Sequence, residues 1–221
     1  PLAGYVTLFR YEPFYVRFDS VTYQNIGAAG DYNFVSFTAG NYIIKATPTA
    51  TNMQVAYGDT AVNWKTAKQI IHGCSVNDIQ NINVKALSTF TAAGTGSLSG
   101  TIYEGNGYGH RMGFGSKPTV PGTPIGGIIV KGGKNPGGQM FVQTVTSTTP
   151  GSIGQYTLSG FPVNTGSDEY FILVDIPGLD TNGTYYRTIT VTNNSFQGLD
   201  FFVDSVKINP IPSSAVSVND I

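Results

Sequence analysis

Hydrophobic residues along this chain occur in short runs, and glycine, asparagine or proline separates one run from the next. The runs are rich in β-branched and aromatic residues, which favour extended backbone because their side chains pack well on a pleated surface. Short runs of this kind with turn residues between them are typical of strands. The pattern predicts an all-β chain folded as antiparallel β-sandwiches. The clearest runs are residues 5–9, 42–46, 128–131, 170–174 and 188–192.

One stretch has a different period. Between residues 63 and 71, Trp64, Ala67 and Ile71 recur at helical spacing, and Gly73 follows as a stop signal. Apolar residues three and four apart share one face of a helix, and glycine often ends one. The sequence therefore predicts one short helix near residues 63–71.

Three stretches are repeated in the same order, at offsets of about 123, 124 and 128 residues. A repeat that keeps both order and spacing indicates two copies of one module. A run of small residues at 92–96 marks the boundary between them. We therefore expect module 1 over residues 1–93, module 2 over residues 96–209, and a linker over residues 210–221. The matched pairs are 1–8 with 124–131, 30–37 with 154–161, and 42–48 with 170–177.

Module 2 has a strand-like segment that module 1 lacks. Residues 97–103 stand ahead of the 124–131 motif, and no equivalent stands ahead of residues 1–8. We therefore expect module 1 to lack its first strand, which leaves backbone groups unpaired and an apolar groove open. Upstream chain or another chain would supply that strand.

Composition narrows the classes of partner. Charged residues make up 11% of the chain, against roughly 25% in average soluble domains, and the net charge is −1. The 12 basic residues are scattered, so we expect no nucleic-acid partner, because binding nucleic acid needs clustered Lys and Arg. No apolar run reaches 18 residues, so we expect no membrane insertion. A single cysteine rules out an intrachain disulfide framework.

The repeated motifs carry a family resemblance. Gly154-Gln-Tyr-Thr-Leu-Ser-Gly-Phe-Pro and Tyr170-Phe-Ile-Leu-Val-Asp-Ile-Pro-Gly-Leu resemble the carboxypeptidase-regulatory-like sandwiches of large secreted Bacteroidota proteins, which are Cna-B-like or transthyretin-like. Both halves carry the pattern. Residues 204–210 and 213–221 resemble the linker that precedes a type IX secretion sorting domain. The resemblance implies tandem immunoglobulin-like or transthyretin-like modules of a non-enzymatic cell-surface or extracellular protein. The chain would serve as a stalk, adhesin or filament subunit.

The same resemblance suggests modification and assembly. Ser20, Thr60 and Ser205 each follow Asp and precede an aliphatic residue or alanine, which is similar to the O-glycosylation acceptor of Bacteroidota. Polar turn residues beside a strand are the alternative interpretation. The expected partners are neighbouring domains of a longer chain or copies of the same chain. The tail alternates at Val216 and Val218, as a strand donated to a neighbouring sheet edge would.

Candidate catalytic groups are few. His72 and Cys74 would lie on one face of a strand, but tetrahedral zinc needs three or four ligands, and only His110 and scattered carboxylates remain. We expect Cys74 to be a core residue and His72 to cap a turn. Spacing singles out no facing pair for glycoside hydrolysis among the carboxylates Glu104, Asp168, Glu169 and Asp175.

We therefore expect no enzyme activity, no metal centre and no cofactor. Structural calcium is the alternative that the sequence leaves open, because calcium often stiffens extracellular module junctions and binds hard oxygen ligands. Its candidate ligands are Asp175, Asp180 and Asp200.

A long glycine-rich loop over residues 104–123 supplies the candidate binding surface. Tyr108, His110, Arg111 and Phe114 combine aromatic rings with a basic group, which suits sugar rings or a partner surface. On this basis the alternative function is a carbohydrate- or partner-binding module attached to a larger extracellular enzyme or adhesin. The competing interpretation is that the loop folds over the sandwich edge and covers core.

Overall fold

The computed structural model describes residues 3–14, 16–27, 29–50, 52–73, 94–108, 121–135, 137–163, 166–211 and 218–219. The chain separates into two compact units, Pro1–Leu87 and Ser88–Ile221, which we call unit 1 and unit 2. The prediction of an all-β chain is confirmed, since strands make up the regular structure of both units. The module boundary expected at residues 93–96 stays a prediction.

Unit 1 contains one antiparallel sheet in the described part of the chain. Its order is β2-β1-β3-β4, and β5 also pairs with β3. The strands are β1 (Gly4–Glu12), β2 (Arg17–Asn25), β3 (Gly40–Pro48), β4 (Ala56–Tyr57) and β5 (Ile70–His72).

The core of unit 1 follows from the alternation of β1. Val6 lies opposite Ala46, and Leu8 lies opposite Ile44, so these four side chains share one face of the sheet. They belong to one buried cluster, together with Tyr42 and Ile70.

The predicted helix at residues 63–71 is wrong in extent and largely in type. Only Trp64–Thr66 is helical, as a single 3-10 turn that Asn63 caps by accepting the backbone N–H of Thr66 at 3.1 Å. Ala67 already has extended backbone, and Ile70–His72 forms β5 on the edge of β3. Strand pairing satisfies the backbone here. Of the three residues whose spacing suggested a helix, Ala67 is buried but Ile71 is 77% exposed, so they do not share one buried face.

The described residues of unit 2 form two sheets. One has the order β16-β12-β10-β7-β8, and the other has the order β11-β15-β14-β6-β13, with β9 also on β6. The strands are β6 (Gly96–Glu104), β7 (Ile129–Asn135), β8 (Gln139–Val145), β9 (Gln155–Phe161), β10 (Glu169–Asp175), β11 (Asp180–Thr181), β12 (Thr184–Arg187), β13 (Ser195–Phe196), β14 (Phe201–Val203), β15 (Lys207–Pro210) and β16 (Val218–Asn219).

The two sheets of unit 2 form a sandwich around one core. Val130, Ile172 and Val174 contribute from the first sheet, while Leu98 and Phe201 contribute from the second. The first sheet is antiparallel throughout. The second is mixed rather than purely antiparallel, because β13 and β14 run parallel to β6. Parallel neighbours need a long crossover, and here the chain between β6 and β13 provides it.

One predicted strand is absent. Residues 188–192 are not in a strand, although Ile189 is fully buried. The chain turns there, with the N–H of Thr190 donating to the carbonyl of Asn193 at 3.0 Å. The β-branched run therefore forms a turn that buries Ile189. The strand lies just before it, at Thr184–Arg187.

Candidate functional site

The predicted binding loop is described only in part. Tyr108 is half-buried and packs against the core of unit 2, as expected if the start of the loop covers core. His110, Arg111 and Phe114 lie outside the described residues, so a glycan-binding surface at these positions stays a prediction.

His72 lies at the end of β5, opposite Gly40. Its ring is half-buried, with its centroid 4.4 Å from that of Phe37 and 6.5 Å from that of Tyr42. His72 therefore belongs to an aromatic cluster that borders the core of unit 1. Cys74 lies outside the described residues, so the predicted dyad stays untested.

Sequence reasoning missed a buried ion pair between two strands of unit 2. Lys131 Nζ on β7 lies 2.9 Å from Asp175 Oδ2 on β10, and both side chains are 0% exposed. Burying either ion alone would carry a large desolvation penalty, which the attraction between the two partners offsets in part. The sequence signal that could have indicated this pair is that Lys131 and Asp175 each end an otherwise apolar run, at residues 128–131 and 170–175. The buried carboxylate of Asp175 therefore serves to bind Lys131.

The other candidate carboxylates are dispersed. Glu104 is buried at the end of β6. Asp168 lies 2.5 Å from Lys134 Nζ, and this hydrogen bond raises the pKa of Lys134. Glu169 begins β10 and is half-buried. The structure therefore does not assemble these groups into a facing acid–base pair within the described residues.

The calcium ligand candidates likewise have separate roles. Asp200 Oδ1 accepts the backbone N–H of Thr101 at 2.7 Å and so ties the loop before β14 to β6. Asp180 is exposed in β11. Among the described residues no three of His, Cys, Asp and Glu are grouped so that they could hold a metal ion. Asp175, Asp180 and Asp200 therefore do not form a common ligand set there.

The glycosylation candidates differ in exposure. Ser20 on β2 is exposed, and so is Thr60, which follows Asp59 in a left-handed turn with φ of 67° and 65°. Ser205 is half-buried, and its N–H donates to the carbonyl of Asn106 at 3.0 Å. Ser20 and Thr60 are the exposed candidates of the three, and glycosylation at these positions stays a prediction.

The candidate donor strand in the tail is described only at its end. The backbone of Val218 lies opposite Tyr185 of the same chain, at the edge of the first sheet of unit 2. Val216 lies outside the described residues. Donation of this tail to a neighbour stays a prediction.

Two tyrosine hydroxyls form hydrogen bonds with backbone carbonyls in the C-terminal part of unit 2. Tyr156 donates to the carbonyl of Leu199 at 2.5 Å. The single hydroxyl proton of Tyr185 is shared between the carbonyls of Asp200 and Ile211, which lie 2.6 and 2.7 Å from the hydroxyl oxygen. Burial raises the pKa of Tyr156 well above its usual value and raises the pKa of Tyr185 to about 12. Both hydroxyls therefore remain protonated donors at neutral pH.

The sequence repeat is also a structural repeat. In unit 1, β1 pairs with β2 on one side and β3 on the other; in unit 2, β7 pairs in the same way with β8 and β10. All four pairings are antiparallel. The two units therefore share one three-stranded arrangement, built from the first and third repeated stretches.

The second repeated stretch differs between the units. In unit 2 it forms β9, which pairs with β6. In unit 1 the corresponding residues 30–37 belong to no strand, although Tyr32, Phe34 and Phe37 still pack against the core. The strand that module 1 was predicted to lack is thus the one that would pair with this stretch.

Comparisons with known proteins give little beyond this. No protein family and no curated protein matches the sequence. Among solved structures, a minor pilin of the Gram-positive pathogen Streptococcus agalactiae is similar at 11% identity, over 98% of this chain and 87% of that chain, with a TM-score of 0.24. A likeness at that TM-score carries no argument about function. Within the described residues, no helix is long and apolar enough to cross a membrane.

Proposed function

We propose that this chain is a non-enzymatic structural part of a secreted or cell-surface protein, in which tandem β-sandwich units form a stalk, an adhesin or a filament subunit. The observation that carries the proposal is the repeat of one antiparallel arrangement in both units. In unit 1, β1 is paired along most of its length with both β2 and β3. A load applied along such strands is shared by many backbone hydrogen bonds at once, which suits a load-bearing part.

The use of the charged groups supports this proposal. Lys131 and Asp175 neutralise each other inside unit 2, and Asp200 holds a backbone amide of β6. The carboxylate of Asp204 does the same for the N–H of Asn106 at 2.9 Å. Charged side chains that hold strands and turns in place are typical of a structural protein.

The proposal extends to location and modification. Low charge and a family resemblance to secreted Bacteroidota modules favour display outside the cell, with export by type IX secretion. Ser20 and Thr60 are exposed and would carry O-linked glycans there. Glycopeptide mass spectrometry of native protein tests this: unmodified Ser20 and Thr60 would remove the glycoprotein part of the proposal and leave the structural part intact.

Surface labelling and electron microscopy test the function itself. We expect antibodies against this chain to label intact, unpermeabilised cells. Negative-stain images of material shed from those cells should show rods or filaments that the same antibody decorates. Regular filaments with a subunit near 23.5 kDa identify a polymer, and rods with a larger subunit identify a stalk. Labelling only after lysis would contradict the proposal.

A further inference from the structure

The chain contains two Asn-Gly pairs, Asn106-Gly107 and Asn182-Gly183, and both lie in unit 2. Asparagine is one of the thermally labile residues, because the backbone nitrogen of the next residue can attack its side-chain amide. A following glycine favours this attack, since it has no Cβ to hinder the approach or to restrict the backbone angles. Both asparagines are exposed, so exposure alone does not distinguish the two pairs.

The side chain of Asn182 is held in place. Its Nδ2 donates to Oδ1 of Asn209 at 3.2 Å, and its backbone N–H donates to the carbonyl of Ile208 at 2.7 Å. The following residue, Gly183, is buried. The amide of Asn182 must therefore give up a hydrogen bond before it can rotate toward the Gly183 nitrogen, and that nitrogen is shielded from the solvent that would accept its proton.

The side chain of Asn106 is not held in this way. Hydrogen bonds fix its backbone, because the N–H donates to Oδ1 of Asp204 at 2.9 Å and the carbonyl accepts the N–H of Ser205 at 3.0 Å. Within the described part of the chain, its side-chain amide has no hydrogen-bond partner, and the Gly107 nitrogen donates no hydrogen bond. Gly107 is only half-buried, with a φ of 71°. Both reacting groups are therefore free at this pair.

We propose that Asn106 is a site of spontaneous deamidation and iso-aspartate formation in the folded protein, and that the fold protects Asn182 from the same reaction. The Gly107 nitrogen attacks Cγ of Asn106 and forms a new C–N bond. The C–N bond to the side-chain nitrogen breaks, and that nitrogen leaves as ammonia with the proton from the Gly107 nitrogen. Water then opens the cyclic imide at either carbonyl, which yields aspartate or iso-aspartate. The reaction consumes only water, so it does not depend on where the protein is displayed.

The reaction changes the surroundings of Asp204. The carboxylate of Asp204 accepts the N–H of Asn106 with Oδ1 and Nδ2 of Asn209 with Oδ2, so it links the loop after β6 to β15. Deamidation adds a negative charge to the residue whose N–H this carboxylate binds, and like charges repel. Iso-aspartate also lengthens the backbone between residues 106 and 107 by one methylene. The link between the loop and β15 is therefore weaker in modified molecules.

Peptide mapping by mass spectrometry tests this on the full chain during storage at neutral pH. The fraction of acid at each asparagine is followed over time, and an iso-aspartate-specific methyltransferase identifies the iso-aspartate product. In the folded protein, Asn106 should lose its amide at least about fivefold faster than Asn182, which is the factor that corresponds to one net hydrogen bond. In urea the fold no longer distinguishes the two pairs, so the two rates should become similar.

Two variants serve as matched controls. Asn209→Leu removes the acceptor of the Asn182 amide and should speed deamidation of Asn182 by up to about fivefold. Gly107→Ala adds a Cβ beside the attacking nitrogen and should slow deamidation of Asn106 while leaving Asn182 unchanged, which keeps the test decisive if Asn209→Leu fails to fold. The proposal is overturned if Asn106 keeps its amide in the folded protein, or if Asn182 loses its amide as fast as Asn106 does there.

Discussion

Unit 1 and unit 2 show what one strand contributes to a shared design. Both have a central strand with two antiparallel neighbours, β1 between β2 and β3, and β7 between β8 and β10. Only in unit 2 does the described chain add a strand equivalent to β6, and only there are the three core positions of the second repeated stretch, Tyr156, Leu158 and Phe161, all buried. The comparison indicates that one strand, β6, both pairs with the backbone of β9 and helps to bury its side chains.

A second contrast lies between the central strands and their partners. The strand pairing places Lys131 at the position of Thr7, one residue away from its match with Leu8 in the sequence repeat, and places Asp175 at the position of Thr47. Unit 2 therefore has a buried ion pair where unit 1 has two threonines, and the Thr47 hydroxyl is buried with no hydrogen-bond partner among the described residues. The same framework tolerates either solution, so the ion pair is not required for the fold.

The largest expected effect comes from breaking the ion pair. Lys131→Met should destabilise unit 2 by about 3–5 kcal/mol, because it removes one partner of a buried ion pair and leaves the Asp175 carboxylate buried without that cation. Calorimetry of the full chain measures this loss as a lower melting temperature of unit 2. Trp64 is the single tryptophan and lies in unit 1. The transition of unit 2 is therefore the one in which tryptophan fluorescence does not change.

The matched control is the double variant Lys131→Met with Asp175→Leu. Replacing both ions by apolar groups of similar size is often neutral or stabilising, so most of the lost stability should return. A double variant as unstable as the single one would show that the pair itself is needed.

The next effect compares the same core position in the two units. Leu158→Ala should cost about 2–5 kcal/mol, as for other fully buried leucines. Phe34→Ala at the matching half-buried position should cost less than half as much, although phenylalanine is larger. Calorimetry follows the first change and Trp64 fluorescence follows the second. Equal losses would mean that Phe34 is as well covered as Leu158.

Alkaline pH should weaken unit 2 through its buried tyrosines. The folded-state pKa of Tyr185 is about 12, whereas in an unfolded chain it is about 10. Above pH 10 the unfolded state loses the proton first, so stability is intact below pH 10 and falls as pH rises toward 12. The calorimetric transition of unit 2, measured from pH 8 to 12, should shift down less in Tyr185→Phe. An equal shift in the variant would place the cause elsewhere.

The smallest effect tests a backbone kink that both units share, since Ser36 has a φ of 61° where Gly160 in β9 has 92°. Ser36→Gly should stabilise unit 1 by about 0.5–1 kcal/mol, because serine pays a steric cost at positive φ that glycine avoids. The reverse change, Gly160→Ser, should destabilise unit 2 by about 1 kcal/mol. A side chain at position 160 meets nothing within 4 Å, so this cost is conformational. Urea unfolding of each variant measures it, and opposite signs are required.

Some of the candidate site could be anticipated from the sequence and some could not. The repeat located the stretch at residues 30–37 and the strand at residues 97–103 that pairs with its counterpart. Charge and hydropathy along the chain did not reveal that Lys131 meets Asp175, because the two residues lie on separate strands 44 positions apart. The strand at residues 188–192 was wrong because a β-branched run with a buried residue, Ile189, can also form a turn. The helix at residues 63–71 was wrong because helical spacing alone does not place residues on one buried face, and Ile71 is 77% exposed on β5.

The sequence by itself determined that the chain is all-β, that it repeats, and where four of the five clearest apolar runs form strands. These properties are local, since β-branched residues and turn residues act within a few positions of themselves. Only the tertiary structure decided which strands are neighbours, that the second sheet of unit 2 is mixed, and how fully each core position is buried. Those outcomes depend on contacts between distant segments, as in unit 2, where β6 pairs with β9 and the two strands contribute to one core.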